Sequence, residues 1–238
     1  MNNITIEKHN KHIGKVSQRY VPMVITRGDG AYLYDDKGKK YLDFTSGMAA
    51  NALGHSCPGI VEKIREQAGK LIHAGARVGY YESQVALAEK LKKICPGMAE
   101  DGQVVFANSG SAAIENALKL VRSATKKPIV ISFLGAFHGR TLGATSVTSS
   151  KSSYRIASET LVNGTLQIPY PSYSNFSTDQ IIDLLKLYFR STIPVSAVAG
   201  ILVEPVLGEG GYIIPPKDFI PKLRKLCDEI NCLLIVDA

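Results

Sequence analysis

Residues 104–121, VVFANSGSAAIENALKLV, constrain the fold more than any other stretch of the chain. Val104, Val105 and Phe106 are the β-branched and aromatic types that suit a pleated, buried surface, so residues 104–106 predict a short buried strand. Asn108, Ser109 and Gly110 are turn formers, and Ser111 is a candidate N-cap. Beyond it Ile114, Ala117, Leu118 and Val121 fall on one face of a helix. A strand feeding a glycine turn and a helix start leaves several backbone N–H groups unpaired at the positive end of the helix dipole. That is an anion site, and phosphate is the commonest small anion on a cofactor. The turn has neither a Gly-Lys-Ser/Thr phosphate loop nor a G-x-G-x-x-G pattern, and many strand–turn–helix units carry a glycine only to make the turn.

The remaining sequence alternates in the same manner. Strands are expected at residues 129–133, 166–168, 198–203 and 233–236, and helices at 111–124, 179–189 and 216–230, with a short helix after the turn that follows Phe133. Repeated βα units imply an α/β fold, a mostly parallel sheet with helices on both faces. Upstream, residues 32–36 and 40–44 alternate around Lys37-Gly38-Lys39 and read as a hairpin. Residues 45–55, TSGMAANALGH, are small and glycine-rich, which suits close approach to a ligand and equally a plain buried loop. Helices are expected from Pro58 and over residues 82–94, the second stopped by Cys95-Pro96-Gly97.

Composition excludes several classes. The 238 residues are 45% hydrophobic, enough for a sizeable core, and no apolar run reaches the length of a membrane span. The net charge of +7 is spread over separate lysine clusters without an aromatic-basic module, so no nucleic-acid partner is expected. The four cysteines, at 57, 95, 227 and 232, have no zinc spacing and read as reduced thiols. The first residues lack the apolar core of a secretory signal, and a cytoplasmic location is expected.

In parallel sheets ligands sit at the C-terminal ends of the strands. The residues there are Asn108 to Ser111, Gly135 to Arg140, Glu204-Pro205 and Asp237. A phosphate turn, an aromatic ring with a His and an Arg, a Glu and an Asp suit a phosphorylated aromatic ring that carries a basic nitrogen. At this point the stretches NSGSAAIENALKLVR, FLGAFHGRTLGATSVT, ILVEPVLGEGGYIIPP and LLIVDA, in that order, together with GAYLYDDKGKKYLDFTSGMAANALGH, resemble class III aminotransferases. These are pyridoxal-phosphate enzymes of fold type I, and the chain is most similar to the 4-aminobutyrate, ornithine and acetylornithine members.

The resemblance implies roles. Ser109, Gly110 and Ser111 would hold the cofactor phosphate. Phe137 would stack on the pyridine ring with His138 beside it, and Asp237 would pair with the ring nitrogen. Arg140 would lie near the substrate carboxylate and pair with Glu204. Glu209 matches the family's mobile acid, which swaps partners between amino donor and acceptor. Substrates would be an amino acid, with 4-aminobutyrate or ornithine as type, and a 2-oxo acid, and the complete protein would be a homodimer. Each residue has a plainer reading: Phe137 as core, Asp237 as a helix cap, Arg140 with Glu204 as a structural ion pair, Glu209 as a turn residue, and Tyr80 and Tyr81 as packing rather than cleft residues. The family's Schiff-base lysine falls well after the aspartate, hence beyond Ala238. The sequence is therefore expected to comprise an N-terminal arm and hairpin, residues 1–55, and a cofactor-binding large domain, residues 56–238, without its last strands and the C-terminal small domain. Alone it is expected not to transaminate. The alternatives are a non-catalytic subunit that keeps the fold, and a nucleotide- or sugar-phosphate-binding α/β protein that uses the same turn.

Overall fold

Apolar periodicity and glycine turns resolve into the elements that the sequence leads one to expect, with three differences that matter for the site. The structure, a computed structural model, describes residues 3–15, 19–75, 77–95, 101–156 and 163–238. Two compact units result, Met1–Lys93 and Ile94–Ala238.

In the first unit, α1 (Ile4–His12) is capped by the Asn3 side chain, which accepts from Thr5 N. Strands β1 (Ile25–Asp29), β2 (Tyr32–Asp35) and β3 (Lys40–Leu42) form an antiparallel sheet in that order. The β2–β3 hairpin turns at residues 37–39 as expected, and β1 is an addition. Asp35 fixes the turn by accepting from Lys37 N, Lys39 N and the Tyr41 hydroxyl. After the short turn α2 (Ser46–Ala49) come α3 (Pro58–Lys70), with proline at its start, and α4 (Glu82–Ile94). Pro96 and Gly97, the expected stop of α4, lie outside the described residues. Among the described residues no helix is long and apolar enough to cross a membrane.

The second unit is built from α5 (Gly110–Thr125), β4 (Ile129–Phe133), α6 (Leu142–Val147), β5 (Thr165–Ile168), α7 (Thr178–Ser191), β6 (Val198–Val203), α8 (Phe219–Glu229) and β7 (Leu233–Val236). The sheet order is β5-β4-β6-β7, and every pairing is parallel. β6 is buried along its whole length, as a strand covered on both faces must be. On one face α5 and α6 pack Ile114, Leu118, Val121, Ala144 and Val147 against Val130 and Leu202. On the other, α7 and α8 pack Ile181, Leu185, Phe219 and Leu223 against Ile131, Phe133, Ile201 and Val203. Phe133, Tyr170 and Phe219 meet edge to face, with ring centroids 5.3 to 5.8 Å apart, the geometry that aromatic quadrupoles favour. The Tyr170 hydroxyl donates to the Glu204 carbonyl at 3.0 Å and so anchors the exit of β6.

The differences are as follows. Residues 104–106 are not a buried strand. They pair with no strand among the described residues, and Val105 and Phe106 are exposed. β-propensity marks a segment fit for a sheet, but pairing requires a neighbour. Ser109, not Ser111, caps α5: its hydroxyl accepts from Ala112 N at 3.2 Å. The last helix starts at Phe219, three residues later than its prolines indicate.

Candidate active site

Parallel strands put the residues that follow β4, β6 and β7 at one edge of the sheet. Asp237 is held there by its own backbone, whose N–H donates to Val203 O at 3.0 Å. Its carboxylate meets a side chain 99 residues earlier: Asp237 Oδ2 lies 2.8 Å from His138 Nδ1, with the imidazole donating and the carboxylate accepting. The His138 side chain is fully buried and that of Asp237 is one-third exposed, so the acid has an open side while its orientation is fixed from behind. His138 is fixed in turn, since its backbone N–H donates to Thr148 Oγ1 at 2.9 Å. Its other ring nitrogen, Nε2, is buried and has no hydrogen-bond partner.

The residue after His138 leads to the start of α5. A Cβ on Gly139 would overlap the Ser111 hydroxyl, and the φ of Gly139 is +128°, so glycine is required twice over. Arg140 N donates to Ser111 Oγ at 3.4 Å. Residues 138–140 thus touch Asp237 at one end and Ser111 at the other. At Gly110 a Cβ would meet no heavy atom within 4 Å, so the space beside the first residue of α5 is open. Glu115, one turn further along α5, accepts from Thr141 Oγ1, Gly143 N and Ala144 N and caps α6, which locks the two helices together.

Arg140 and Glu204 do not pair. Glu204 is buried and its carboxylate is taken up by backbone: Oε1 accepts from Phe137 N at 2.6 Å and Oε2 from Gly208 N at 2.8 Å. Two converging amide N–H groups satisfy both oxygens of this buried carboxylate, so it does not need Arg140 as a partner. Arg140 is exposed, and its charge bears on Glu209. Phe137 is half-buried against Tyr154, with ring centroids 5.4 Å apart. Glu209 is more than a turn residue, because Lys151 Nζ lies 3.0 Å from Oε2 and the Tyr154 hydroxyl donates to Oε1 at 2.9 Å. Their bonds, Lys151's first, hold the Glu209 carboxyl below the usual carboxylate range, and Glu209 raises both the Lys151 ammonium and the Tyr154 phenol. Lys151 and Tyr154 escape a reading confined to the residues just after each strand. They come one short helix later, on the chain that leaves the same edge.

In the other unit, Tyr80 is fully exposed, and the Tyr81 hydroxyl accepts from Ala74 N. A cavity of about 660 Å³ beside α1 holds none of the expected site residues. Among the described residues no cluster of metal-ligating side chains occurs.

The sequence model of aminotransferase class-III matches residues 13–238. The chain belongs to that family. It is similar to a probable 4-aminobutyrate aminotransferase of Bacillus subtilis, 34% identical over 97% of this chain and 55% of the relative. It is 39% identical to an acetylornithine aminotransferase of Methanopyrus kandleri over 91% of this chain and 51% of that one. Among solved structures, the taurine:2-oxoglutarate aminotransferase of Bifidobacterium kashiwanohense, in complex with PLP and glutamate, superposes with a TM-score of 0.87 at 28% identity. That superposition covers the whole of this chain and 56% of the other. The chain thus spans about half the length of the class-III relatives it matches, and its parallel α/β sheet is that of their large domain.

Proposed function

We propose that the protein to which these residues belong is a pyridoxal-phosphate aminotransferase, moving an amino group from an amino acid to a 2-oxo acid. The observation that carries this reading is that Asp237 and the start of α5 meet opposite ends of residues 138–140. Pyridoxal phosphate carries its phosphate arm on the ring carbon meta to the basic ring nitrogen, and so asks for an acid and an anion site within reach of one small ring. The open space beside Gly110 and the exposed side of the Asp237 carboxylate fit such a ligand.

When bound, the cofactor supplies an electron sink for the carbon that loses a proton. Asp237 keeps the ring nitrogen protonated, and His138 holds Asp237 in place. The Gly110 and Ser111 N–H groups and the Ser109 and Ser111 hydroxyls hold the phosphate at the helix N-terminus. Phe137 covers one face of the ring and excludes water from it. Arg140, exposed beside Glu209, binds a substrate carboxylate. Glu209 faces the amino donor, for which we favour a distal amine of the 4-aminobutyrate or ornithine type, in line with the names of the relatives. We assign residues 56–238 to the cofactor-binding part and 1–55 to the arm and hairpin. The lysine that attaches the cofactor, we propose, belongs to the portion of the relatives that these residues do not match. Residues 1–238 by themselves then hold pyridoxal phosphate without a covalent link and do not transaminate, and the whole protein is a homodimer.

Absorbance titration of the chain with pyridoxal phosphate tests the reading. Asp237→Ala should weaken binding by about tenfold or more, the scale of one lost charge-assisted contact, and ATP should not compete. Equal binding by the variant, or displacement by ATP, would favour a nucleotide-binding protein instead.

A further inference from the structure

Two connections join the loop after β4 to the loop after β6. The first is between backbones: the Glu204 carboxylate bridges Phe137 N and Gly208 N. Gly210 seats the same turn against the β4 exit, since a Cβ there would stand 2.6 Å from Gly135 O. The second is between side chains, and it runs through Tyr154, in the 3-10 turn Ser152–Arg155. The Tyr154 ring lies against Phe137 at a 60° tilt, and its hydroxyl donates to Glu209 Oε1. Lys151 takes the other oxygen, and its ammonium lies 5.6 Å from the Tyr154 ring centroid. A half-exposed lysine–carboxylate pair by itself contributes little. Here the pair shares its carboxylate with a phenol whose ring braces a second residue.

We propose that Tyr154, assisted by Lys151, is a positioning residue that couples the charge on Glu209 to the orientation of the Phe137 ring. The functional weight of this coupling rests on reading Phe137 as the ring that faces the cofactor. With the clamp closed, Lys151 balances the Glu209 charge, so a ligand carboxylate meets a neutral pair and the Phe137 face is held still. A ligand ammonium that draws Glu209 away breaks both bonds and releases the brace behind Phe137. The clamp thereby makes the cofactor face responsive to the charge of the group bound at Glu209, a basis for telling amino donor from carboxylate acceptor.

The test uses the full chain carrying 4-fluorophenylalanine at position 137, read by ¹⁹F NMR without any ligand. Glu209→Gln should shift the resonance. Tyr154→Phe, which keeps the ring and loses the hydroxyl, should abolish that response, and Lys151→Gln should reproduce part of the Glu209→Gln shift. An unmoved resonance in Glu209→Gln, or the same shift in the Tyr154→Phe background, overturns the proposal. Pyridoxal phosphate affinity is the second arm, and Tyr154→Phe should weaken it about three- to tenfold, less than the full loss of a hydrogen bond to a charged group, because this bond braces Phe137 and does not touch the cofactor. If the chain binds no pyridoxal phosphate while the ¹⁹F coupling persists, the cofactor reading fails and the coupling stands. If binding persists without coupling, only the coupling fails.

Discussion

Replacing Glu204 by glutamine tests how the site's two loops are held. The Glu204 residue is 7% exposed, and each carboxylate oxygen takes one backbone N–H, from Phe137 and from Gly208. Glutamine fills the same space but has one acceptor oxygen and one donor amide. Whichever way it turns, one N–H group faces another donor. A hydrogen bond to a charged group contributes roughly 1.5–3 kcal/mol, and a buried donor left unpaired costs roughly 1–3 kcal/mol. The loss should therefore be about 3–5 kcal/mol, a large share of the roughly 5–15 kcal/mol by which domains are stable. Equilibrium urea unfolding reads it directly. With a slope of roughly 2–3 kcal/mol per molar, the midpoint should fall by about 1–2.5 M. A loss under about 1 kcal/mol would refute the argument, because it would mean that water or a side chain satisfies these N–H groups without the second carboxylate oxygen.

Three further outcomes follow from the same geometry. Gly139→Ala places a methyl on the Ser111 hydroxyl at a φ of +128°; it should cost about 1–3 kcal/mol and lower pyridoxal phosphate affinity, both measurable on one preparation. Leu118→Ala removes a buried side chain from the α5 face against the sheet, and urea unfolding should show a loss of about 2–5 kcal/mol. The Glu209 cluster should give stability a pH dependence at both ends. The Glu209 carboxyl is depressed by Lys151 and Tyr154, so its contribution is complete above the unfolded carboxylate value of about 4.3 and fades as pH falls through the folded value. The Tyr154 phenol is raised by Glu209, so its contribution is complete below about 10 and fades as pH climbs through the folded value. Stability profiles of Glu209→Gln should be flatter at both extremes, and phenol absorbance should show one tyrosine titrating earlier than in the parent chain.

Much of this architecture was legible in the sequence, for reasons that can be located. β6 and β7 stand at the expected residues because an unbroken apolar run between breakers has few alternatives once helices alternate with it. The α5 face was legible because Ile114, Leu118 and Val121 repeat at helical spacing and find the sheet. The failures were those of partnership. Residues 104–106 have strand-forming side chains, but sequence does not say what lies alongside. Arg140 and Glu204 have opposite charges, yet sequence does not show that two backbone N–H groups, at Phe137 and Gly208, reach the carboxylate first. Ser109 and Ser111 are equally good caps on composition, and the Gly139 approach to Ser111 decides between them by giving the second serine another task. The His138–Asp237 contact spans 99 residues and becomes visible only when β4, β6 and β7 are laid side by side.

We propose above all that the Asp237 carboxylate keeps protonated the ring nitrogen of a ligand whose phosphate rests at the start of α5. ¹⁵N NMR of pyridoxal phosphate labelled at the ring nitrogen, bound to this chain at neutral pH, measures that proton. The parent chain should give a pyridinium shift, and Asp237→Asn a return to the neutral pyridine position with the phosphate still bound. A neutral ring in the parent chain, or a pyridinium signal that survives Asp237→Asn, would contradict it.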